Sequence, residues 1–402
     1  MPHGFSPSPL ERAGVRLFLY ILTTICFSCG QKGTQADEVI EIIHRVNNYW
    51  QTHNPEHGNS FWHRAVYHTG NMEAYHLTKE PAYLEFSLAW AEHNEWKGAG
   101  SDNKEEWKYT YGETDEYVLF GDFQTCFQVY ADLYGLAPEA HKIVRAREVM
   151  EYQMSTGYNG YWWWADGLYM VMPVMTRLYK ITQNPLYLEK MHEYLAFADS
   201  VMYDAQANLY YRDAKYVYPK HQTMNGKKDF WARGDGWVLA AFARVLQDLP
   251  ADSKYRDEYV ERFRMMAKAV AGSQQPEGYW TRSMLDPEHA PGPETSGTAF
   301  FTYGILWGVN NGLLPKDEYA PAIRKAWMYL TTVALQPDGK VGYVQPIGEK
   351  AIPGQAVDAD SQADFGVGAF LLAACEMARY LTNRRFTQIH ADYNIKDING
   401  KW

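Results

Sequence analysis

Two kinds of apolar segment alternate along most of the chain, and both have helical spacing. Segments of the first kind combine an apolar stripe with a charged face, as in LTKEPAYLEFSLAWAEH (77–93) and ITQNPLYLEKMHEYLAF (181–197). Segments of the second kind are apolar on nearly every side. A helix that is apolar all round is buried all round, whereas an amphipathic helix covers a core. The pattern therefore predicts buried helices alternating with amphipathic ones, and almost no strands.

The two kinds of segment recur in a regular order. A proline opens each amphipathic segment, where its fixed φ suits the first helical turn; these prolines are Pro81, Pro138, Pro185 and Pro315. Such repeated helical hairpins bury their cores only by stacking on one another. Each buried segment begins with a small or acidic residue beside a glycine. The buried segments are 121–135, 165–181, 234–249, 295–309 and 361–381.

The polarity of the buried segments predicts how this array of hairpins ends. The chain has 402 residues, which leaves room for about six hairpins. An open stack would expose one flank of its inner helices, yet the buried segments carry no polar flank. We therefore predict an all-α fold, an (α/α)6 toroid, in a single catalytic domain over residues 37–385, with a C-terminal tail at 386–402.

A short apolar run, LFLYILTTICFS (17–28), has the size of a signal-peptide core and is too short to cross a bilayer. Two arginines precede it and Cys29 follows it, an order that resembles a bacterial lipoprotein signal. The alternative is an ordinary secretory leader cleaved nearby. We expect residues 1–28 to be a signal peptide and Cys29 to be the lipidated first mature residue. The protein would then be exported and anchored at the periplasmic side of the outer membrane.

Composition narrows the class of function. The formal charge is −10 without a basic run, which excludes nucleic acid as a partner, because duplex binding needs a basic surface. Aromatic residues make up 15% of the chain, a surplus typical of clefts that bind sugars, and no protein partner is evident. Outside the leader, Cys126 and Cys375 lie in apolar helical patterns and are expected to be buried free thiols. The histidines do not cluster, so we expect neither a metal nor another cofactor.

Acidic residues stand at the beginnings of the buried helices, which a toroid gathers at one mouth. They are Asp122, Asp166, Asp235, Glu294 and Asp364. Helix capping explains each one taken alone, since a carboxylate at a helix N-terminus accepts orphan amide protons. Several carboxyls converging on one aromatic mouth suit acid–base chemistry on a sugar. The sequence leaves capping open for each residue and predicts catalysis for the set.

The stretch before Asp166, residues 158–164, holds five aromatic side chains. Desolvation by tryptophan disfavours the charged form of a carboxyl, so we expect a raised pKa at Asp166. Pro173, seven residues later, predicts a kink in the helix. A second aromatic stretch places Arg233 between two tryptophans, either as a solvated arginine paired with a nearby aspartate or as a fork for a sugar carboxylate. We favour the fork.

The segments WWWADGLYMVMP, WARGDGW and ETSGTAFFTYG together resemble glycoside hydrolase family 105, the unsaturated rhamnogalacturonyl hydrolases, and its relative family 88, the unsaturated glucuronyl hydrolases. The resemblance covers about residues 40–385. It implies an (α/α)6 barrel that removes a 4,5-unsaturated uronic acid from the non-reducing end of lyase-generated oligosaccharides. The implied substrates are rhamnose-linked fragments of rhamnogalacturonan or ulvan. In the implied mechanism, an acid protonates C4 of the vinyl ether and water adds at C5.

The resemblance also implies roles for individual residues. Asp166 corresponds to the general acid/base and Asp122 to the assisting aspartate. Two further residues would pack on the unsaturated sugar and three would form its cradle. These are Trp164 and Met170 for the packing, and Trp231, Arg233 and Trp237 for the cradle.

The chain departs from the family pattern at two places. Members often carry Asn where this chain has Asp235, and many have a His near the position of Arg212. Arg212, Lys215 and Lys220 could serve a sulfate or simply solvate a loop. A glycan-binding outer-membrane lipoprotein without catalysis is the alternative function. A sugar epimerase on the same barrel would require paired histidines in the cavity, and the sequence places none at the helix heads.

Overall fold

The computed structural model describes residues 34–382, which form twelve α-helices and one short β-hairpin. The predicted leader, Cys29 and the predicted tail lie outside the described residues. The β-hairpin pairs β1 (Tyr203–Asp204) with β2 (Leu209–Tyr210) in antiparallel register. The helices, in chain order, are α1 (Gln35–His53), α2 (Trp62–Thr78), α3 (Pro81–His93), α4 (Cys126–Leu136), α5 (His141–Ser155), α6 (Ala165–Thr182), α7 (Leu186–Met202), α8 (Ala232–Asp248), α9 (Arg256–Gly272), α10 (Thr295–Asn310), α11 (Lys316–Tyr329) and α12 (Asp364–Thr382).

The even-numbered helices form a closed inner ring, and the odd-numbered helices surround it. Each even-numbered helix contacts the next, α12 contacts α2, and α1 packs on α12 to complete the last hairpin. The predicted all-α (α/α)6 toroid is confirmed. Closure depends on two glycines, since a Cβ on Gly70 of α2 would lie 2.4 Å from the carbonyl oxygen of Gly368 of α12. The ring closes because these two backbones touch.

One inner helix, α2, was missed by the sequence prediction because its buried face is partly polar. Asn71 donates hydrogen bonds to the carbonyl oxygen of Tyr83 and to Ser87 of α3, and His68 bonds the same serine. These polar residues are fully buried, and their hydrogen bonds lower the cost of burying them. Polar residues of this kind interrupt the apolar pattern from which a buried helix is predicted.

Helix α12 is also the described helix that is long and apolar enough to cross a membrane, by length and composition alone. In the ring, 83% of that stretch is buried against its neighbours, so its apolar character is explained by its place in the core. Cys126 and Cys375, on α4 and α12, are both free and buried. The expectation of buried free thiols is confirmed.

The long connections that enter the inner helices are fixed by backbone pairing at the helix heads. The first N–H of α6, at Ala165, donates to the carbonyl of Arg212 over 2.8 Å. Ala232 of α8 donates to Arg282, and Thr295 of α10 donates to Tyr343, in the same way. These bonds satisfy amides that a helix leaves without an internal partner. The N-terminus of each of these helices is therefore hydrogen-bonded to the connection that leads into the next inner helix.

Asp235, in the first turn of α8, holds the 203–231 connection from the other side. Its Oδ1 accepts the backbone N–H of Tyr210 over 2.8 Å, and its side chain is fully buried. Burial raises the pKa of this carboxyl well above the ordinary aspartate value. Asp235 thus links the first turn of α8 to this connection through a buried hydrogen bond.

Helix α6 runs through Pro173 without ending, and the predicted kink there stays a prediction. Proline has no N–H for the carbonyl four residues earlier, which here belongs to Tyr169. Gln128 of α4 donates to that carbonyl over 2.7 Å and to the carbonyl of Met170 over 3.2 Å. Arg244 of α8 donates to the Oε1 of Gln128 and keeps the amide oriented. A side chain from the neighbouring helix replaces the hydrogen bond that proline removes.

Replacing Gln128 by leucine leaves the buried Tyr169 carbonyl without its donor, and we expect a loss of about 1–3 kcal/mol in the free energy of unfolding. In a Pro173→Ala background residue 173 regains its N–H, so the same substitution should cost less. Urea unfolding of the wild type, both single variants and the double variant measures the coupling. An equal cost in both backgrounds would contradict the idea that the Gln128 side chain replaces the helical hydrogen bond that Pro173 cannot make.

Replacing Asp235 by asparagine should stabilise the protein increasingly as the pH rises. Below about pH 4, aspartate is protonated in both the folded and the unfolded chain. Above it the unfolded chain ionises while the buried group stays protonated, so stability is lost by up to about 1.4 kcal/mol per pH unit until the folded pKa is passed. Asparagine does not titrate. The gain in Tm over the wild type, measured at pH 4, 6 and 8, should grow; a constant difference contradicts a raised pKa.

Candidate active site

Asp166 is the second residue of α6 and lies at the mouth of the ring. Its side chain is almost completely buried. Burial raises the pKa of this carboxyl, against the lowering effect of the Arg212 and Arg233 guanidiniums. The direction of the shift agrees with the prediction from its aromatic surroundings. A carboxyl with a raised pKa can keep a proton nearer to neutral pH and give it to a substrate.

Arg212 is the residue of this site that the sequence left undecided. Its backbone is paired with the head of α6, through the Ala165–Arg212 bond and a bridge between Trp164 and Asp213. The pairing places its Nε 3.3 Å from the Oδ2 of Asp166, and its Nη1 donates to Asp213 over 2.7 Å. The only signal in the sequence was the departure from the histidine that many family members have there. The structure assigns Arg212 to the site rather than to a solvated loop.

Asp122 lies in a 3-10 turn, Gly121–Phe123, that precedes α4. The predicted buried segment 121–135 thus begins with this turn, and α4 itself starts at Cys126. The carboxyl is buried, and its pKa is raised well above the ordinary value by desolvation first and by the charge of Asp166 second. The two aspartates predicted to act together are therefore within electrostatic range of each other.

The indole of Trp164 packs beside the residues that carry the two aspartates. A Cβ on Gly121, next to Asp122, would lie 3.1 Å from this ring, and a Cβ on Gly167, next to Asp166, would also lie 3.1 Å from it. Phe120 stacks on the indole with ring centroids 4.6 Å apart. Trp164 thus occupies the room that each glycine leaves.

The two aspartates hold their protons unequally. Arg212 favours the charged form of Asp166, while Asp122 experiences burial together with the charge of Asp166. When two such groups interact, the pair titrates in two steps, and one carboxyl stays protonated while the other is charged. Between those steps the pair holds one proton. The pair supplies one proton and one negative charge.

The three consecutive tryptophans point to three different places. Trp162 packs against Tyr194 of α7, with ring centroids 5.1 Å apart. Trp163 is partly exposed and faces the Arg212 guanidinium at 5.8 Å. Met170, one turn after Asp166, is buried, and its sulfur accepts a hydrogen bond from Thr125. Of these aromatic side chains, Trp163 is the one that a ligand at the mouth can reach.

The residues of the predicted cradle lie deeper than the sequence suggested. The Arg233 guanidinium is buried between the rings of Trp231 and Phe365, and it donates to the backbone carbonyls of Gln345 and Pro346 over 2.6 and 2.8 Å. It is neither solvated nor paired with Asp229 or Asp235; the carboxylate nearest among its described ion pairs belongs to Glu294, at 3.9 Å. Burial lowers the pKa of Arg233 to about 10.

Trp231 and Trp237 are nearly or fully buried as well. The indole N–H of Trp231 donates to the side chain of Gln345 over 2.8 Å. Trp237 packs among aromatic rings inside the helical ring, including Phe300 at 4.3 Å and Tyr169 at 5.0 Å. The contacts of these residues are with the protein, and a sugar-binding role for them stays a prediction.

The remaining acidic heads serve the fold. Glu294 caps α10 by accepting the N–H groups of Ser296 and Gly297. Asp364 of α12 accepts from His63 and from the indole of Trp50, and these donors hold its pKa below the ordinary value against the opposing effect of burial. Capping and pairing thus explain these two, while Asp122 and Asp166 keep raised pKa values. Within residues 34–382, no group of three or more His, Cys, Asp or Glu could hold a metal ion.

Comparison with known proteins agrees with this geometry. The sequence model of Glycosyl Hydrolase Family 88 matches residues 37–381. A solved structure described as a family 88 glycosyl hydrolase from Bacteroides vulgatus is 66% identical, with a TM-score of 0.85 over 86% of this chain and 99% of that one. A solved structure described as a polysaccharide lyase is 74% identical, with a TM-score of 0.85 over 86% of this chain and 98% of that one.

A curated relative, an unsaturated 3S-rhamnoglycuronyl hydrolase from Formosa agariphila, is 40% identical over 229 residues, or 56% of this chain. The matched stretch spans only 60% of that enzyme's length. The resemblance to families 105 and 88 is confirmed, and the sequence model that matches is that of family 88. With a match over most of its length, the chain belongs to glycosyl hydrolase family 88.

Proposed function

We propose that the protein is a glycoside hydrolase that removes a 4,5-unsaturated uronic acid from the non-reducing end of oligosaccharides. The observation that carries the proposal is the pair formed by Asp122 and Asp166, two buried carboxyls with raised pKa values beside Trp164. Hydration of a vinyl ether needs one proton donor and one group that stabilises positive charge. The pair supplies both.

In the proposed reaction, Asp166 gives a proton to C4 of the sugar double bond. Positive charge then develops at C5 and the ring oxygen, and the negative charge left on the aspartate pair stabilises it in this buried site. Water adds at C5, and the resulting hemiketal opens and releases the remaining oligosaccharide.

The relatives support the substrate class. The Formosa agariphila relative is named an unsaturated 3S-rhamnoglycuronyl hydrolase. We propose rhamnose-linked unsaturated uronides, such as lyase products of rhamnogalacturonan or ulvan, as substrates of this chain. Screening lyase digests of both polysaccharides identifies the preferred one.

A second candidate function is polysaccharide cleavage by elimination, because a 74% identical solved structure is described as a lyase. Elimination takes a proton from C5 of a saturated uronate and creates the C4=C5 double bond. The proposed hydrolase consumes that double bond. The buried pair favours hydrolysis, since a carboxyl with a raised pKa keeps its proton to a higher pH and is then available as an acid.

Glycan binding without catalysis was the alternative that the sequence left open. It does not require two desolvated carboxyls beside each other, and burying them without a use is costly. We also propose that the protein is exported and lipidated at Cys29, on the periplasmic side of the outer membrane. The leader sequence supports this proposal.

Replacing Asp166 by asparagine removes the proposed proton donor and keeps the shape of the side chain. We expect kcat to fall by at least about a thousandfold, within the range that proton-transfer groups contribute. The measurement is the loss of ultraviolet absorbance of the C4=C5 bond in an unsaturated uronyl-rhamnose disaccharide. Asp317→Asn, at the exposed head of the outer helix α11, is the matched control and should keep wild-type turnover.

The direction of the absorbance change separates the two enzyme classes. With a saturated polyuronate as substrate, rising absorbance in the wild type and not in Asp166→Asn would replace the hydrolase by a lyase. Full activity of Asp166→Asn on the unsaturated disaccharide would remove this residue from the mechanism.

The pH dependence of kcat should show a basic limb. A donor must carry its proton, so kcat falls as the pH rises past the pKa of the donor in the bound complex, which burial places above the ordinary aspartate value of about 3.9. Asp122→Asn should lower kcat and keep a basic limb, because Asp166 still titrates. A flat profile in Asp122→Asn would show that Asp122, and not Asp166, holds the titrating proton.

A further inference from the structure

The carboxylate of Glu349 lies in a pocket of donors beside the aspartate pair. Its Oε2 accepts hydrogen bonds from Lys215 Nζ over 2.9 Å and from Arg212 Nη1 over 3.5 Å, and its Oε1 accepts one from the hydroxyl of Tyr216 over 2.6 Å. A guanidinium, an ammonium and a phenol therefore surround one carboxylate. Charged donors converging in this way form a receptor for an oxyanion.

The receptor is directly connected to the proposed chemistry. Arg212, which contributes Nη1 to Glu349, places its Nε 3.3 Å from the Oδ2 of Asp166. An anion that took the place of the Glu349 carboxylate would thus be separated from Asp166 by one guanidinium. A sugar that reacts at Asp166, or the sugar next to it in the oligosaccharide, would therefore be able to place an anionic substituent in this receptor.

Glu349 is fixed less firmly than the residues around it. Its side chain is 44% exposed, and that of Lys215 is 61% exposed. An exposed ion pair of this kind contributes only about 0–1 kcal/mol, so its exchange for another anion costs little.

The segment that carries Glu349 is anchored on both sides, and Gln345 also donates to the carbonyl of Lys350 over 3.0 Å. Arg233 holds the carbonyls of Gln345 and Pro346, and Arg282 holds the carbonyl of Gln355. Between these anchors the chain is irregular, and Gly348 is so open that a Cβ there would meet only the carbonyl of Pro346, at 3.6 Å. Arg233, the buried arginine of the predicted cradle, thus anchors one end of the segment that carries Glu349.

We propose that Arg212, Lys215 and Tyr216 form an anion subsite, that Glu349 occupies it in the absence of substrate, and that an oxyanion of the substrate, a carboxylate or a sulfate ester, displaces Glu349. The inference rests on the proposed function for the identity of the sugar. When one anion replaces another, the charges of Arg212 and Lys215 stay compensated. An uncharged sugar would leave them uncompensated and therefore does not displace Glu349. The subsite therefore selects acidic or sulfated oligosaccharides.

Two substitutions with opposite expected effects test the subsite. Lys215→Met removes a cation and should raise KM about fivefold, while Glu349→Gln removes the competing charge and should lower KM about threefold; kcat should change less than twofold in both. Lys268→Met and Glu261→Gln, both exposed on the outer helix α9, change the net charge equally and should leave KM as it is. The substrates are two unsaturated uronyl-rhamnose disaccharides, with and without a sulfate on the rhamnose.

The two substrates identify the oxyanion. Effects confined to the sulfated disaccharide assign the subsite to the sulfate, and equal effects on both assign it to the uronate carboxylate; either result supports the subsite. A Glu349→Gln variant with a raised KM and a lowered Tm would show that Glu349 only fastens two connections together, and would overturn the proposal. Unchanged KM values in both variants would overturn it as well.

A binding measurement keeps the subsite testable if the wild type fails to consume the double bond. Inorganic sulfate should raise Tm more than sodium chloride at the same ionic strength, with a larger increase in Glu349→Gln and none in Lys215→Met. That pattern without turnover would refute the proposed function and retain the anion subsite. The same sulfate response in all three proteins would refute the subsite, whatever the turnover.

Discussion

The site depends on one recurrent interaction, in which the first N–H of an inner helix pairs with the connection that enters the next inner helix. At the head of α6 this bond joins Ala165 to Arg212 and brings a guanidinium against Asp166. The amide needs a partner because a helix leaves its first N–H groups unsatisfied. A requirement of the fold thus positions a residue of the chemistry, and Asp235 holds the same connection from α8.

Desolvation then gives this arrangement its reactivity. The ring of Trp164 packs against two glycines, each next to an aspartate. Burial raises both pKa values, while Arg212 acts against the rise at both. Arg212 also donates to Glu349, so the guanidinium beside Asp166 is the same one that faces the proposed anion subsite.

Much of the fold could be read from the pattern of the chain. Five of the six inner helices are apolar on every side and leave no flank for solvent, and this alone favours a closed ring. The sixth, α2, escaped because Asn71 and His68 are buried with partners from α3. Pro173 lies inside α6, where Gln128 supplies the donor that proline lacks. Neither partner could be read from the sequence, because a buried polar group or a missing donor is satisfied by a residue of another helix.

The same division holds for the site. The sequence by itself determined the chemistry available: two aspartates next to glycines and tryptophans, in motifs that resemble a family of uronyl hydrolases. Only the tertiary structure decided that Arg212 touches Asp166 and that Arg233 is buried against backbone carbonyls rather than open to a ligand. Local composition sets which groups can donate protons or bind anions, but burial and charge partners come from residues more than a hundred positions away, as with Arg233 and Gln345. Those contacts exist only once the ring has closed.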